Sequence, residues 1–212
     1  MKDKPIADKL LQELDAKYKL INQDRDTHLK GLLHSNSITY WDYIHTDALL
    51  GLQIQRTNLP DEMVFIAYHQ INELIFKMIL WEIQQITHTE NIDAEKMILH
   101  LNRITGYFEL LSNSFIQMAD GIELKQYMTF RDTLTPASGF QSEQYRKIEI
   151  ASTELMNLID YRFRKTIDRD TPYEHAFNNM YWQAAGVDHK TGGKNKLLVN
   201  FENIEFNKEE RN

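Results

Sequence analysis

The stretch from Glu62 to Ile86 contains neither proline nor glycine and follows a strong helix start. In Asn58-Leu59-Pro60-Asp61-Glu62, proline sits where a first helical turn tolerates it, and two acidic residues follow where the helix dipole is positive. Proline inside a helix would remove a donor and clash with the preceding turn, so its absence lets one helix run the whole length. The apolar positions Met63, Phe65, Ile66, Ile71, Leu74, Ile75, Met78, Ile79 and Ile83 cover most of the circumference. A helix apolar on most sides is predicted to sit inside a bundle rather than on its surface.

The rest of the chain supports a helical bundle. Ile6, Leu10, Leu14 and Tyr18 recur every four residues among charges, which predicts an amphipathic helix over 6–20. A polar stretch follows from Asn22 to Lys30, and residues 37–53 read as an aromatic segment leading into a further helix. Met97, Leu101, Ile104, Phe108, Leu111, Phe115 and Met118 alternate spacings of four and three, an a/d seam with Asp93 placed to cap it. Residues 123–132 read as a short helix, and Thr133–Gly139 as a break. Ser138 with Gln141 fits a capping box, followed by a stripe of Ile148, Ala151, Leu155, Leu158 and Ile159. From Thr166 onward the pattern weakens. Asp168–Pro172 reads as a loop, Tyr173–Ala185 as a short helix ending at Gly186, and Lys196–Phe206 alternates loosely. The predicted fold class is all-α, in one domain over 1–212: a core at 37–165, an N-terminal helical extension at 1–36, and an irregular C-terminal segment at 166–212.

Composition excludes several function classes. With no cysteine, disulfides, thiolate metal sites, iron–sulfur clusters and cysteine nucleophiles are ruled out. A net charge of −7 argues against nonspecific nucleic-acid binding, which depends on neutralising phosphates. The N-terminal MKDKPIADKLLQELDAKY has no long apolar run, so neither a signal peptide nor a membrane span is expected there, and the expected compartment is the cytoplasm. The eight histidines show no two-histidine metal spacing, and Thr191-Gly192-Gly193 lacks the surroundings of a phosphate loop.

Three groups of residues can carry chemistry, each with a structural alternative. His69 shares a helix face with Phe65, Asn72 and Phe76, within about 40° of arc. It is either a satisfied core histidine or an imidazole lining a pocket, able to donate or accept near neutral pH. Tyr127 and Arg131 share one face four residues apart. The guanidinium is either an exposed partner of Asp132 or a glutamate, or a two-donor receptor for a carboxylate. Tyr40, Trp41 and Tyr43 either staple the chain onto the bundle or form an interface or pocket lid.

The strings themselves carry a resemblance. Asp61-Glu62-Met63-Val64-Phe65-Ile66-Ala67-Tyr68-His69-Gln70 with Glu73-Leu74, Tyr127-Met128-Thr129-Phe130-Arg131-Asp132, and Leu134-Thr135-Pro136-Ala137-Ser138-Gly139-Phe140-Gln141-Ser142 with Gln144-Tyr145-Arg146 and Ile148-Glu149 resemble, in order, segments of the haem-dependent tryptophan 2,3-dioxygenase family. Tyr40-Trp41-Asp42-Tyr43-Ile44 leading into Asp47-Ala48-Leu49-Leu50 resembles that family's N-terminal element. The likeness covers roughly residues 37–150, and the segment 136–142 is its most specific part.

The resemblance implies a helix bundle of the tryptophan/indoleamine 2,3-dioxygenase type, incomplete at its C-terminus. It also implies haem- and O2-dependent opening of the L-tryptophan indole ring to N-formylkynurenine, in the kynurenine pathway. It casts His69 as the distal histidine that hydrogen-bonds the indole N–H and faces the haem. Phe65 would pack on the indole, Arg131 would clamp the carboxylate, Tyr127 would line the pocket, and Ser138 would stand near the haem. Tyr40, Tyr43 and Ile44 would reach a neighbouring subunit's pocket within a homotetramer. The family's later helix, which supplies the proximal haem histidine in a Trp-Arg context, has no counterpart: Trp182 is followed by Gln183, and no metal ligand is assigned. The alternative is a truncated or degenerate, non-catalytic member that oligomerises and binds tryptophan without haem.

Overall fold

The computed structural model describes residues 4–134, 138–168, 170–188 and 190–209. It is helical, and the described residues hold no strand, only two isolated bridges, Ile159 with Met180 and Val187 with Lys194. The chain divides into two compact units, Met1–Leu52 and Gln53–Asn212.

The first unit contains α1 (Lys4–Leu20), α2 (Arg25–Leu32), α3 (Tyr40–Ile44) and α4 (Thr46–Leu50). The polar stretch after Asn22, which lacks an apolar stripe, still forms α2, because the Asp24 side chain accepts from Thr27 N at 2.8 Å and supplies the cap. Tyr18 and His28 stack with ring centroids 4.3 Å apart, closing α1 onto α2. The aromatic segment is itself helical, as α3, and the helix expected after it is the short α4. Thr39 and Asp42 build a capping box for α3, and His45 then takes φ 57, a left-handed conformation that ends one helix and starts the next.

The second unit is organised by α5 (Pro60–Thr87), which packs along α6 (Ala94–Gly121) and against α7 (Leu124–Arg131) and α8 (Glu143–Ser152). Ile75, Ile79 and Ile148 are the buried centre of this packing, with Ile104, Tyr107 and Leu111 of α6 laid against them. Asp93 caps α6 as expected, accepting from Lys96 N at 2.8 Å. Glu82 is buried between the two helices, where His100 Nδ1 lies 2.5 Å and Arg103 Nη1 3.4 Å from its carboxylate. By length and composition alone α5 could cross a membrane.

Two expectations are corrected here. α5 buries only one side: Ile71, Leu74, Met78 and Trp81 remain exposed, Trp81 at 59%. The α6 seam is covered along only one of its two rows: Met97, Ile104, Leu111 and Met118 are half-buried, while Leu101, Phe108 and Phe115 are exposed. Apolarity reports where a helix can be covered, while contacts depend on what is present to cover it.

The weakly patterned end of the chain is more ordered than its periodicity predicted. α9 (Leu155–Leu158), α10 (Tyr173–Asn178), α11 (Tyr181–Ala185) and α12 (Lys196–Glu209) surround a second buried cluster of Leu158, Ile159, Ile167, Ala176, Met180, Trp182 and Leu198. The loosely alternating 196–206 is helical, capped by Asn195, whose side chain accepts from Leu198 N at 2.9 Å. Thr135, Pro136 and Ala137 of the predicted break, and His189, lie outside the described residues.

Candidate functional site

A cavity of about 860 Å3 opens in the second unit. α5 contributes Phe65, Tyr68 and His69; α7 contributes Leu124, Tyr127 and Arg131; Ser138 and Gly139 follow from the turn before α8. Phe115, Met118 and Ala119 come from the end of α6, with Ile122 just past it, and Leu197 of α12 and Leu134 complete the wall. The lining is an apolar chamber with few polar groups, the pattern of a small-molecule site.

The acidic pair at the start of α5 sets the geometry. Asp61 accepts from Glu123 N at 2.7 Å, and its own N–H donates to Gln126 at 3.2 Å, so the starts of α5 and α7 are tied together. Glu62 is buried and accepts from Arg56 N, Thr57 N and the Thr57 hydroxyl at 3.0, 2.7 and 2.5 Å. Burial pushes the Glu62 carboxyl up, but the Thr57 hydroxyl and the two backbone N–H groups outweigh it, holding the group below the usual glutamate value of 4.5. From these anchors, one turn along each helix, Phe65 meets Tyr127 and Phe130 with centroids 6.0 and 5.4 Å away. Phe130 is fully buried and fixes α7 from beneath.

His69 sits one turn beyond Phe65, ring centroids 4.1 Å apart. Its Nδ1 lies 2.8 Å from the Phe65 carbonyl oxygen. A carbonyl can only accept, so Nδ1 carries a proton, and the tautomer this selects has Nε2 as its acceptor. Tyr68 packs edge-on to the same imidazole at 5.4 Å. Beyond His69 the face turns away from the cavity: Phe76 contacts Tyr145 at 5.6 Å and joins the core.

Arg131 is exposed, with its guanidinium carbon 5.8 Å from the centre of the Tyr127 ring. Among the described residues no carboxylate pairs with it, Asp132 included. Ser138 and Gln141 form the expected capping box, but on a three-residue 3-10 turn, Gly139–Gln141; Ser142 caps α8 itself. Tyr40, Tyr43 and Ile44 belong to the first unit, on α3, with exposed side chains.

Thus Phe65, His69, Tyr127, Arg131 and Ser138, named from the sequence, line one cavity. Sequence reading missed Tyr68, Phe115, Met118, Ala119, Ile122, Leu124, Leu134, Gly139 and Leu197. Phe115 and Met118 were visible as seam residues, but nothing in periodicity separates a seam position that packs from one that faces a cavity.

Whether the lining suits a haem can be asked of its donors. The volume and apolar walls suit a large apolar group, but His69 is the one histidine among the lining residues, and no cluster of three metal-binding side chains occurs among the described residues. The lining therefore fits the substrate side of such a centre, with no second histidine among the lining residues.

Comparison with known proteins places the chain in a family. A family model described as tryptophan 2,3-dioxygenase matches residues 26–200. Relatives named tryptophan 2,3-dioxygenase include one from Ruegeria sp. (strain TM1040), 39% identical over 116 residues, covering 54% of this chain and 41% of the relative. Another, from Sorangium cellulosum (strain So ce56), is 34% identical over 153 residues, covering 67% and 36% respectively. A vertebrate relative, tryptophan 2,3-dioxygenase B of Danio rerio, is 36% identical over 124 residues, covering 53% and 30%. The chain thus spans less than half the length of these relatives. With a family match over most of its length, the chain belongs to the tryptophan 2,3-dioxygenase family.

Proposed function

We propose that the cavity receives L-tryptophan and forms the substrate side of a haem-dependent dioxygenase that opens the indole ring to N-formylkynurenine. The observation that carries this is the guanidinium of Arg131, which has no carboxylate partner among the described residues and lines the same chamber as the Phe65 and Tyr127 rings and the His69 imidazole. A zwitterion with an indole side chain supplies what each group lacks. Its carboxylate gives Arg131 a two-point, charge-assisted partner. Its ring fills the space beside Phe65 and Tyr127. Its N–H is a donor for His69 Nε2, the atom left free by the bond to Phe65 O.

Holding the ring at both ends is what a ring-opening reaction requires of the protein, since fixed orientation replaces an entropic part of the barrier. The haem, when bound, supplies the oxygen chemistry, in which both atoms of O2 enter the product as the indole C2–C3 bond breaks. In this proposal Ser138 and His69 would be the residues on the haem's side, and Tyr40, Tyr43 and Ile44 would complete a neighbouring subunit's pocket in a homotetramer, in the cytoplasm.

Calorimetry with L-tryptophan and 1-methyl-L-tryptophan tests the reading. The methylated analogue, which has no indole N–H, is expected to bind about tenfold more weakly, because it leaves the Nε2 acceptor unpaired. Equal affinity for both would remove His69 from its role, and absence of any binding would remove tryptophan as the ligand. With haem supplied, appearance of the formylkynurenine absorbance tests the reaction.

A further inference from the structure

We infer that Arg146 is a positioning residue for the cavity: through Phe140 it sets where Ser138 and Gly139 stand, and Glu149 and Tyr181 hold it in that duty. The ligand part of this inference rests on the tryptophan reading above; the geometric part does not.

Ser138 and Gly139 line the cavity from a 3-10 turn of three residues. Such a turn has few and poorly aligned hydrogen bonds, so its place depends on what lies behind it. Arg146 lies behind it. Its Nη2 donates to the Phe140 carbonyl at 3.4 Å, and its guanidinium carbon is 5.3 Å from the centre of the Phe140 ring. The same ring meets Trp182 edge-on at 6.0 Å. The next residue, Gln141, donates to the carbonyl of Leu197 at 3.4 Å, and Leu197 is itself part of the cavity wall. Two faces of the chamber therefore lean on one turn.

Arg146 is only 8% exposed, and its surroundings fix its orientation as well as its charge. Nη1 donates to Glu149 at 2.6 Å and to the Tyr181 hydroxyl at 2.7 Å, and that hydroxyl donates to the other Glu149 oxygen at 2.5 Å. The three groups close a ring. Burial, and then the bond to Glu149, raise the Tyr181 hydroxyl above its ordinary range, which keeps it a donor at all ordinary pH. The guanidinium carbon also lies 5.1, 5.5 and 5.8 Å from the centres of the Tyr145, Trp182 and Tyr181 rings. Its Nε is buried without a hydrogen-bond partner. A guanidinium that leaves one donor unmet while lying among four rings is placed by its plane, which an ammonium cannot reproduce. Arg146 is not a lining residue, so any effect on a ligand has to pass through the turn.

Two variants of the full chain, Arg146→Lys and Tyr181→Phe, separate this from a general contribution to folding. The readout is amide hydrogen exchange at Gln141 and Ser142, whose N–H groups close the turn on Ser138 O and Gly139 O at 2.9 and 3.1 Å, compared with His69 on α5. In both variants exchange at Gln141 and Ser142 is expected to quicken by about tenfold with His69 unchanged, and L-tryptophan affinity to fall several-fold. Unchanged exchange in the turn, or an equal increase at His69, overturns the inference. Should Arg146→Lys fail to fold, Tyr181→Phe, which keeps the charge pair, gives the same contrast. Failure of the unaltered chain to bind L-tryptophan would sink the tryptophan reading, while the exchange contrast would still decide the place of Arg146.

Discussion

The pairing of His69 Nδ1 with the Phe65 carbonyl shows how a single side chain acquires its chemistry from the helix it stands on. The helical backbone already presents that carbonyl one turn back, and the imidazole Nδ1–H donates to the oxygen's second lone pair, which fixes the tautomer without help from another element. Replacing His69 with Phe keeps the ring and removes the acceptor, so the preference for L-tryptophan over its 1-methyl analogue is expected to vanish in calorimetry; a preference kept in that variant would contradict the assignment. Glu62 gives a second prediction at this scale. Its folded-state carboxyl titrates below its unfolded value, so its stabilisation is present above about pH 4.5 and is lost as pH falls through the folded value. Glu62→Gln is expected to cost about 1–3 kcal/mol at neutral pH, because buried donors lose an ionised acceptor, and the deficit should shrink on acidification. Denaturant unfolding at pH 7 and pH 3.5 measures it, and an equal deficit at both would argue against the carboxylate. In the sequence Asp61 and Glu62 were legible as helix-start residues. Their tertiary bonds to Glu123 and Thr57 were not, because spacing along one helix does not show what the neighbouring segment offers.

At the scale of elements, local signals located the helices and tertiary context decided their lengths. α5 and α6 were legible from periodicity and caps, but α2 was not, since its formation rests on Asp24 rather than on an apolar stripe. The division of 37–53 at His45 has no glycine to mark it. α10 to α12 gather around Trp182 and Leu198, contacts that a weak local pattern cannot announce. Two glycines test this packing in opposite directions. A Cβ on Gly186 would stand 2.8 Å from Leu198 Cδ2 and 2.9 Å from its Cβ, so Gly186→Ala is expected to destabilise by about 1–3 kcal/mol. Gly106 lies in mid-helix on α6 with nothing within 4 Å of such a Cβ, so Gly106→Ala is expected to stabilise by about 0.5–1 kcal/mol. Thermal unfolding of the two variants should therefore shift to opposite sides of the parent, and shifts of the same sign would contradict this account of the contacts.

At the scale of the molecule, an apolar surface stands out along α5 and α6, where Ile71, Leu74, Met78 and Trp81 face outward together with Ile98, Leu101 and Phe108. Surfaces of this kind on soluble chains mark places of contact. The chain is expected to self-associate in a concentration-dependent way, with Trp81→Glu shifting sedimentation toward the monomer; a monomer at all concentrations would contradict this. The sequence carried the family and five of the cavity's lining residues, because motif residues on α5, α7 and the Ser138 turn converge in space. It did not carry the apolar wall from α6 and α12, which becomes a wall only once the helices are placed.

In the proposed function Arg131 selects the carboxylate of an indole amino acid. Calorimetry comparing L-tryptophan with tryptamine, which lacks that carboxylate, on the parent chain and on Arg131→Ala tests it most directly. The parent is expected to prefer L-tryptophan by about 1.5–3 kcal/mol, roughly tenfold or more, and the preference to collapse in Arg131→Ala. A preference that survives the substitution would place the carboxylate elsewhere and contradict the claim.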